Sequence, residues 1–225
     1  GAFTIGITNE PASSMAKLVD ETLLMHGGRE RSVAATKTFT GQMLLFYMLS
    51  SALAKDGRAI DYQSIPDLAE RALEQKPAIV ELVQRYVFME NCVVVGRGLA
   101  YANAYEFALK LMETCYVVAE RFSSADFLHG PVAMIERHFP VILFAPPGVM
   151  LKGTKDLIGR LHELRADTLA ITGDIDAAAK CSRSIIMPRE IDEFLAPIPY
   201  IIPAQLFAAL LAEAKGLDPD APRSL

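Results

Sequence analysis

Cys92-Val93-Val94-Val95 is an unbroken apolar run that leads straight into Gly96-Arg97-Gly98 and then into a helical pattern from Ala100 to Tyr116. A strand without polar alternation must be covered on both faces, which is the condition of a parallel sheet sandwiched between helices. The motif recurs. Val141-Ile142-Leu143-Phe144 is followed by Pro146-Pro147-Gly148 and a helix from about Lys152 to Leu164. Thr168–Thr172 and Ser184–Met187 are further strands, and a proline-broken helix from about Ala196 to Ala214 closes the series. This alternation predicts an α/β fold with three layers, helices on both faces of one parallel sheet.

The chain before about residue 89 offers less sheet. Phe3–Thr8 reads as a strand ended by the turn Asn9-Glu10-Pro11, and Glu21–Met25 as a weaker one closed by His26-Gly27-Gly28. A helix is expected from near Ser32 or Val33 to Ala54, stopped by Asp56-Gly57, with Ser32 as its N-cap. A second helical pattern runs from Ile65 to about Phe88, kinked or broken at Pro77. Two strands are too few to bury a helix as apolar as 38–54. That helix must pack on the second unit or on another chain, or sequence is missing upstream. The expected division is therefore a partial first unit with connecting helices over 1–89 and a complete second unit over 90–225.

Composition removes several functions. Lys and Arg number 22 against 27 Asp and Glu, a net charge of −5 with no run of like charge, which disfavours nucleic-acid binding. Cys92, Cys115 and Cys181 show no CxxC spacing, against a disulfide framework or zinc site and for a reducing compartment. Neither an HxxxH pattern nor a His-carboxylate pattern suggests a metal. Gly96-Arg97-Gly98 lacks the third glycine of the dinucleotide fingerprint, so no cofactor is expected. The uncharged stretches 38–54 and 194–212 approach a membrane span in length. Their Thr, Ser, Gln and Pro content marks them as helices packed inside a protein. Without a positively charged leader at Gly1, a soluble cytoplasmic chain is expected, with no membrane contact.

Within the helix after Gly98, Glu106, Lys110 and Glu113 fall within about 60° of one face, while apolar residues fill most of the rest. Such a helix is buried, and its charged stripe faces either a polar cleft or solvent through a gap. The plain alternative is an i,i+4 pair of Glu106 and Lys110 beside an unrelated Glu113. Further on, His129 precedes Gly130-Pro131, which fixes the backbone after it and suits the imidazole to proton transfer; the alternative is a capping or surface histidine. Gly96, Arg97 and Gly98, at the carboxyl end of a strand, suit close approach to a ligand or simply a tight turn. Ser13-Ser14 reads as a turn or cap, and His26, His138 and His162 have no partner nearby in sequence.

Val-Ala-Ala-Thr-Lys-Thr-Phe-Thr (33–40), Val-Gly-Arg-Gly (95–98), Glu-Phe-Ala-Leu-Lys-Leu-Met-Glu-Thr (106–114), Ala-Glu (119–120), His-Gly-Pro (129–131) and Asp-Pro-Asp-Ala-Pro-Arg-Ser-Leu (218–225) occur in one order. That order resembles the tandem sugar isomerase (SIS) domain family, in particular the isomerase half of glutamine–fructose-6-phosphate aminotransferase and the stand-alone hexosamine-6-phosphate deaminases. The resemblance runs over nearly all of the chain. It implies a fold of SIS type, with one incomplete and one complete unit, and a phosphosugar isomerase or deaminase that moves a proton between C1 and C2 of a hexose or hexosamine 6-phosphate. The alternatives are a non-catalytic sugar-phosphate sensor and the isomerase part of a glucosamine-6-phosphate synthase.

Carried over by position, the resemblance makes Glu113 the carboxylate that shuttles the proton and Lys110 and Glu106 its charged neighbours. It makes His129 the ring-opening histidine, lent by the other subunit of a homodimer. Val33 and Ala35 match sugar contacts; Ala35 stands where the synthase usually has serine, which favours a relative over the synthase itself. The family's serine-rich phosphate cradle is expected upstream of Gly1 and its C-terminal lysine just after Leu225.

Overall fold

The structure, a computed structural model, describes residues 1–54 and 61–223. The Asp56-Gly57 helix stop lies outside them. The chain forms two compact units, Gly1–Tyr62 and the region that begins at Gln63.

In the first unit, β1 (Ile5–Thr8) and β2 (Glu21–Leu24) pair in parallel, Ile5 opposite Glu21. Between them lies α1 (Ser14–Leu18), capped by the Ser13 hydroxyl, which accepts from the Ala16 N–H at 3.2 Å. The following helix, α2, spans Lys37–Leu53 and starts later than the N-cap reading of Ser32 expects. The Ser32 hydroxyl accepts from the Ala34 N–H at 3.2 Å, closing a local turn in competition with a helix start. The first turn of α2 is satisfied instead from outside, where Glu30 Oε1 accepts from the Thr38 N–H at 2.9 Å. No residue of α2 is buried, and Phe46, Met48 and Leu53 stand exposed.

The second unit opens with α3 (Ile65–Leu73) and α4 (Lys76–Val83), then a tight turn over Gln84–Tyr86. The break expected at Pro77 is present, because a proline fits the first turn of α4, where its missing N–H costs nothing. Beyond them come β3 (Asn91–Gly96), α5 (Ala100–Cys115), β4 (Val118–Ser123), α6 (Ser124–Leu128) and β5 (Pro140–Ala145). The series ends with α7 (Leu151–Glu163), β6 (Asp167–Thr172), α8 (Ile175–Lys180), β7 (Arg183–Ile186) and α9 (Pro197–Ala214). All five strands are parallel, in the order β4-β3-β5-β6-β7.

The strands send alternate residues to opposite faces. Val93, Val95, Val141 and Leu143 pack with Phe127, Leu157, Ile158 and Leu161, so α6 and α7 cover one face. On the other, Phe107 of α5 meets Phe144 and Phe207 edge to face, with centroids 6.1 and 5.8 Å apart. This face is covered by α5 and α9, and α3 and α4 pack on the outside of α9. The connecting helices thus belong compactly with the second unit. α9 is long and apolar enough to cross a membrane, yet 61% of it is buried among these helices. It is also one continuous helix rather than the broken one expected. Pro197 and Pro199 lie in its first turn, and Pro203 is carried inside it, buried in the packing.

Candidate active site

Gly96, Arg97 and Gly98 turn the chain from β3 into α5. A side chain at Gly96 would meet the Ala100 carbonyl oxygen at 2.2 Å, so this glycine is required by the closeness of the turn, whatever else it does. Gly98 has φ +58°, the left-handed region that favours glycine. Arg97 lies against α7, its guanidinium 2.9 Å from where a side chain at Gly153 would begin.

α5 then carries the charged stripe down one side of the helix. The Lys110 ammonium donates to Glu113 Oε2 at 2.7 Å and stands 3.8 Å from Glu106 Oε1. Glu106 and Lys110 are buried, while the Glu113 side chain keeps 23% of its surface. The row thus runs from a sealed carboxylate to an accessible one. Gln205, one of the few polar residues of α9, donates from Nε2 to Glu106 Oε1 at 3.0 Å. Burial holds the Glu106 carboxyl above its ordinary range, opposed by Lys110 and the Gln205 bond and assisted by Glu113. Two carboxylates around one ammonium leave a net negative stripe, and Oε1 of Glu113 takes no hydrogen bond among the described residues. That oxygen is left free to accept a hydrogen bond on a side chain that stays accessible.

Sequence reasoning brought Glu106, Lys110 and Glu113 together correctly, but had no signal for Gln205 as a partner. The one clue is an amide midway along a helix that is apolar for most of its length. The last described residues also return to this end of α5. The Arg223 guanidinium lies 3.9 Å from the Tyr116 ring centre, and its backbone N–H donates to the Tyr116 hydroxyl at 2.8 Å. The C-terminal segment is thereby anchored three residues beyond Glu113.

His129 lies elsewhere. It caps the C-terminus of α6, its N–H donating to the Asp126 carbonyl at 3.1 Å, and its exposed imidazole has no partner among the described residues. The connections β3–α5–β4 and β4–α6–β5 cross the sheet in opposite directions, so their common right-handedness puts α5 and α6 on opposite faces. Within one chain, the sheet stands between His129 and the stripe. Val33 and Ala35 lie in the first unit, in the turn before α2, where the Ala35 N–H donates to the Val33 carbonyl at 2.9 Å. Among the described residues, no group of three His, Cys, Asp or Glu side chains could hold a metal ion.

Comparison with known proteins places these features in context. A family model described as SIS domain matches residues 89–213. The isomerizing glutamine–fructose-6-phosphate aminotransferase of Gloeobacter violaceus is 36% identical over the whole of this chain, which spans 39% of that relative's length. The C-terminal domain of glucosamine-fructose-6-phosphate aminotransferase from Francisella tularensis superposes with a TM-score of 0.87 at 28% identity. The match covers 97% of this chain and 65% of that one. Glucosamine-6-phosphate deaminase from Thermotoga maritima, 23% identical, shares the fold alone, with a TM-score of 0.73 over 99% of this chain and 65% of its own.

Proposed function

The chain belongs to the SIS-domain family, and on that premise we propose that it interconverts an aldose and a ketose 6-phosphate by moving a proton between C1 and C2, with Glu113 as the base. One observation carries this reading. Lys110 clamps one oxygen of Glu113 at 2.7 Å and leaves the other unoccupied on an accessible side chain. A base that serves two adjacent carbons has to reach both without moving far, and a clamped carboxylate does so. Glu113 takes the proton from C2 of the open-chain aldose to leave an enediolate, the O2 hydroxyl proton passes to O1, and the Glu113 carboxyl returns its proton to C1; Lys110 holds the carboxylate in place before the first step and after the last. Glu106 in turn keeps the Lys110 ammonium in line.

Ring opening must come first, and we assign it to His129. Because the sheet separates His129 from Glu113 in one chain, the histidine is taken to come from a second copy in a homodimer. Val33 and Ala35 are proposed as further sugar contacts on the resemblance of their segment, whereas Gly96, Arg97 and Gly98, expected to contact the ligand, lie at the other end of α5, about 22 Å along the helix from Glu113 and too far to share its sugar.

Isomerisation is favoured over ammonia release. The relative at 36% identity is an isomerizing aminotransferase, whereas the deaminase is alike in fold alone. The test is turnover on a panel of hexose and hexosamine 6-phosphates, followed by ketose formation and by ammonia release. A Glu113→Gln substitution should lower turnover by roughly a hundredfold or more without changing the melting temperature appreciably. Full turnover in that variant would remove the assignment.

A further inference from the structure

A cleft of about 700 Å³ opens at the amino edge of the second unit's sheet, beside the starts of β6 and β7. Arg85, His138, His162, Arg165, Asp167 and Arg183 line it. Each comes from an element boundary on that edge. Arg85 lies in the turn after α4, His138 two residues before β5, and His162 in the last turn of α7. Arg165 joins α7 to β6, and Asp167 and Arg183 open β6 and β7. This edge is opposite the carboxyl ends of the strands, where α/β sheets ordinarily collect ligands.

The charges there do not cancel. Asp167, 5% exposed, is paired with Arg85 at 3.5 Å, and the rim carboxylate Glu163 is taken by Arg160 at 2.8 Å. Among the described residues, Arg165 and Arg183 have no carboxylate partner; Arg183 donates only to the neighbouring Ser182 carbonyl. Two uncompensated guanidiniums flanked by two imidazoles therefore converge on one cleft in a chain whose net charge is −5. His138 and Arg165 also stand at φ +67° and +58°, positions that glycine would hold without strain. The His138 N–H donates to the Arg165 carbonyl at 2.8 Å and ties the two turns together. Both turns keep a basic side chain at a place where backbone geometry alone favours its removal.

We propose that this cleft binds the dianionic phosphate of a phosphate ester, with Arg165 and Arg183 as the charge partners and the rest of the cavity holding the organic body. Forked guanidiniums match phosphate oxygens in pairs. The volume lies within the usual range for small-molecule sites. A nucleotide and a sugar phosphate present the same group, so both are used as probes.

Isothermal titration of the full chain in low-salt chloride buffer would compare AMP, glucose 6-phosphate and uncharged adenosine. At least one ester should bind, adenosine should not, and affinity should fall steeply with added salt. Arg165→Gly removes the side chain while easing the backbone, so its melting temperature should hold or rise as its affinity drops about tenfold or more. Arg183→Gln should lower affinity similarly. Because glucose 6-phosphate can also occupy the site on α5, only the part of its binding lost in Arg165→Gly or Arg183→Gln counts, and the ester losing more in these variants identifies the body. Absence of any binding, or binding that both substitutions leave unchanged, would overturn the proposal.

Discussion

Glu106 and Glu113 are two carboxylates on one helix face with opposite assignments, and depth separates them. Glu106 is sealed against Gln205 and α9, so that burial makes it harder to ionise in the folded chain than in the unfolded one. Such a group costs nothing at a pH below the unfolded value near 4.5, where both states hold the proton. The cost grows as pH climbs from there and is complete above the raised folded value. Glu106→Gln should therefore gain stability relative to the native chain between about pH 4 and pH 7, read from paired thermal melts. A gap that stays flat, or that moves in favour of the native chain, would show that Lys110 outweighs burial. Spacing made the stripe legible, because residues three, four and seven apart share a helix face. It could not reveal depth, since Gln205 arrives from 99 residues away.

Elements were legible wherever both faces are covered. β3 and β5 carry unbroken apolar runs and β6 a shorter one, Leu169-Ala170-Ile171, because helices lie above and below them, and the structure extends each expected strand by one residue at one or both ends. β4, one of the two edge strands, is not legible in the sequence because charge breaks its apolar pattern. Its sequence, Val-Ala-Glu-Arg-Phe-Ser, mixes charge with apolar residues, and Val118 stands 56% exposed. α8 was missed for another reason: six residues are too short for a helical period to declare itself. α9 misled through its prolines, since contacts with α3, α4 and α5 outweigh the local cost of Pro203.

The seating of α5 on the sheet can be tested directly. Phe107 is fully buried between Phe144 and Phe207, so Phe107→Ala should cost about 3–5 kcal/mol in denaturant unfolding. Gly96→Ala is the sharper probe of the turn. Its methyl group would fall 2.2 Å from a backbone oxygen that has no freedom to move, so the variant should melt well below the native chain and lose the positioning of Glu113. An unchanged melting temperature would mean that α5 can slide at little cost.

At the scale of the whole molecule, the layers decide what a single chain is able to do. Covering one sheet from both sides places α5, with its charged stripe, and α6, with His129 at its end, on opposite faces. No packing adjustment within one chain brings them together. A proton-transfer site that uses both must therefore be assembled from two copies, a consequence of connection handedness that residue spacing does not reveal. Tyr105, Leu109 and Met112 along α5 stand exposed.

Complementation tests this most directly. Glu113→Gln and His129→Asn chains would each be inactive alone, then unfolded together, refolded as a mixture and assayed for aldose–ketose interconversion. If each site draws its carboxylate from one copy and its imidazole from the other, half of the dimers are mixed, and each mixed dimer regains one native site. Activity should then return to about a quarter of the native level. A mixture as silent as its two components would contradict the account.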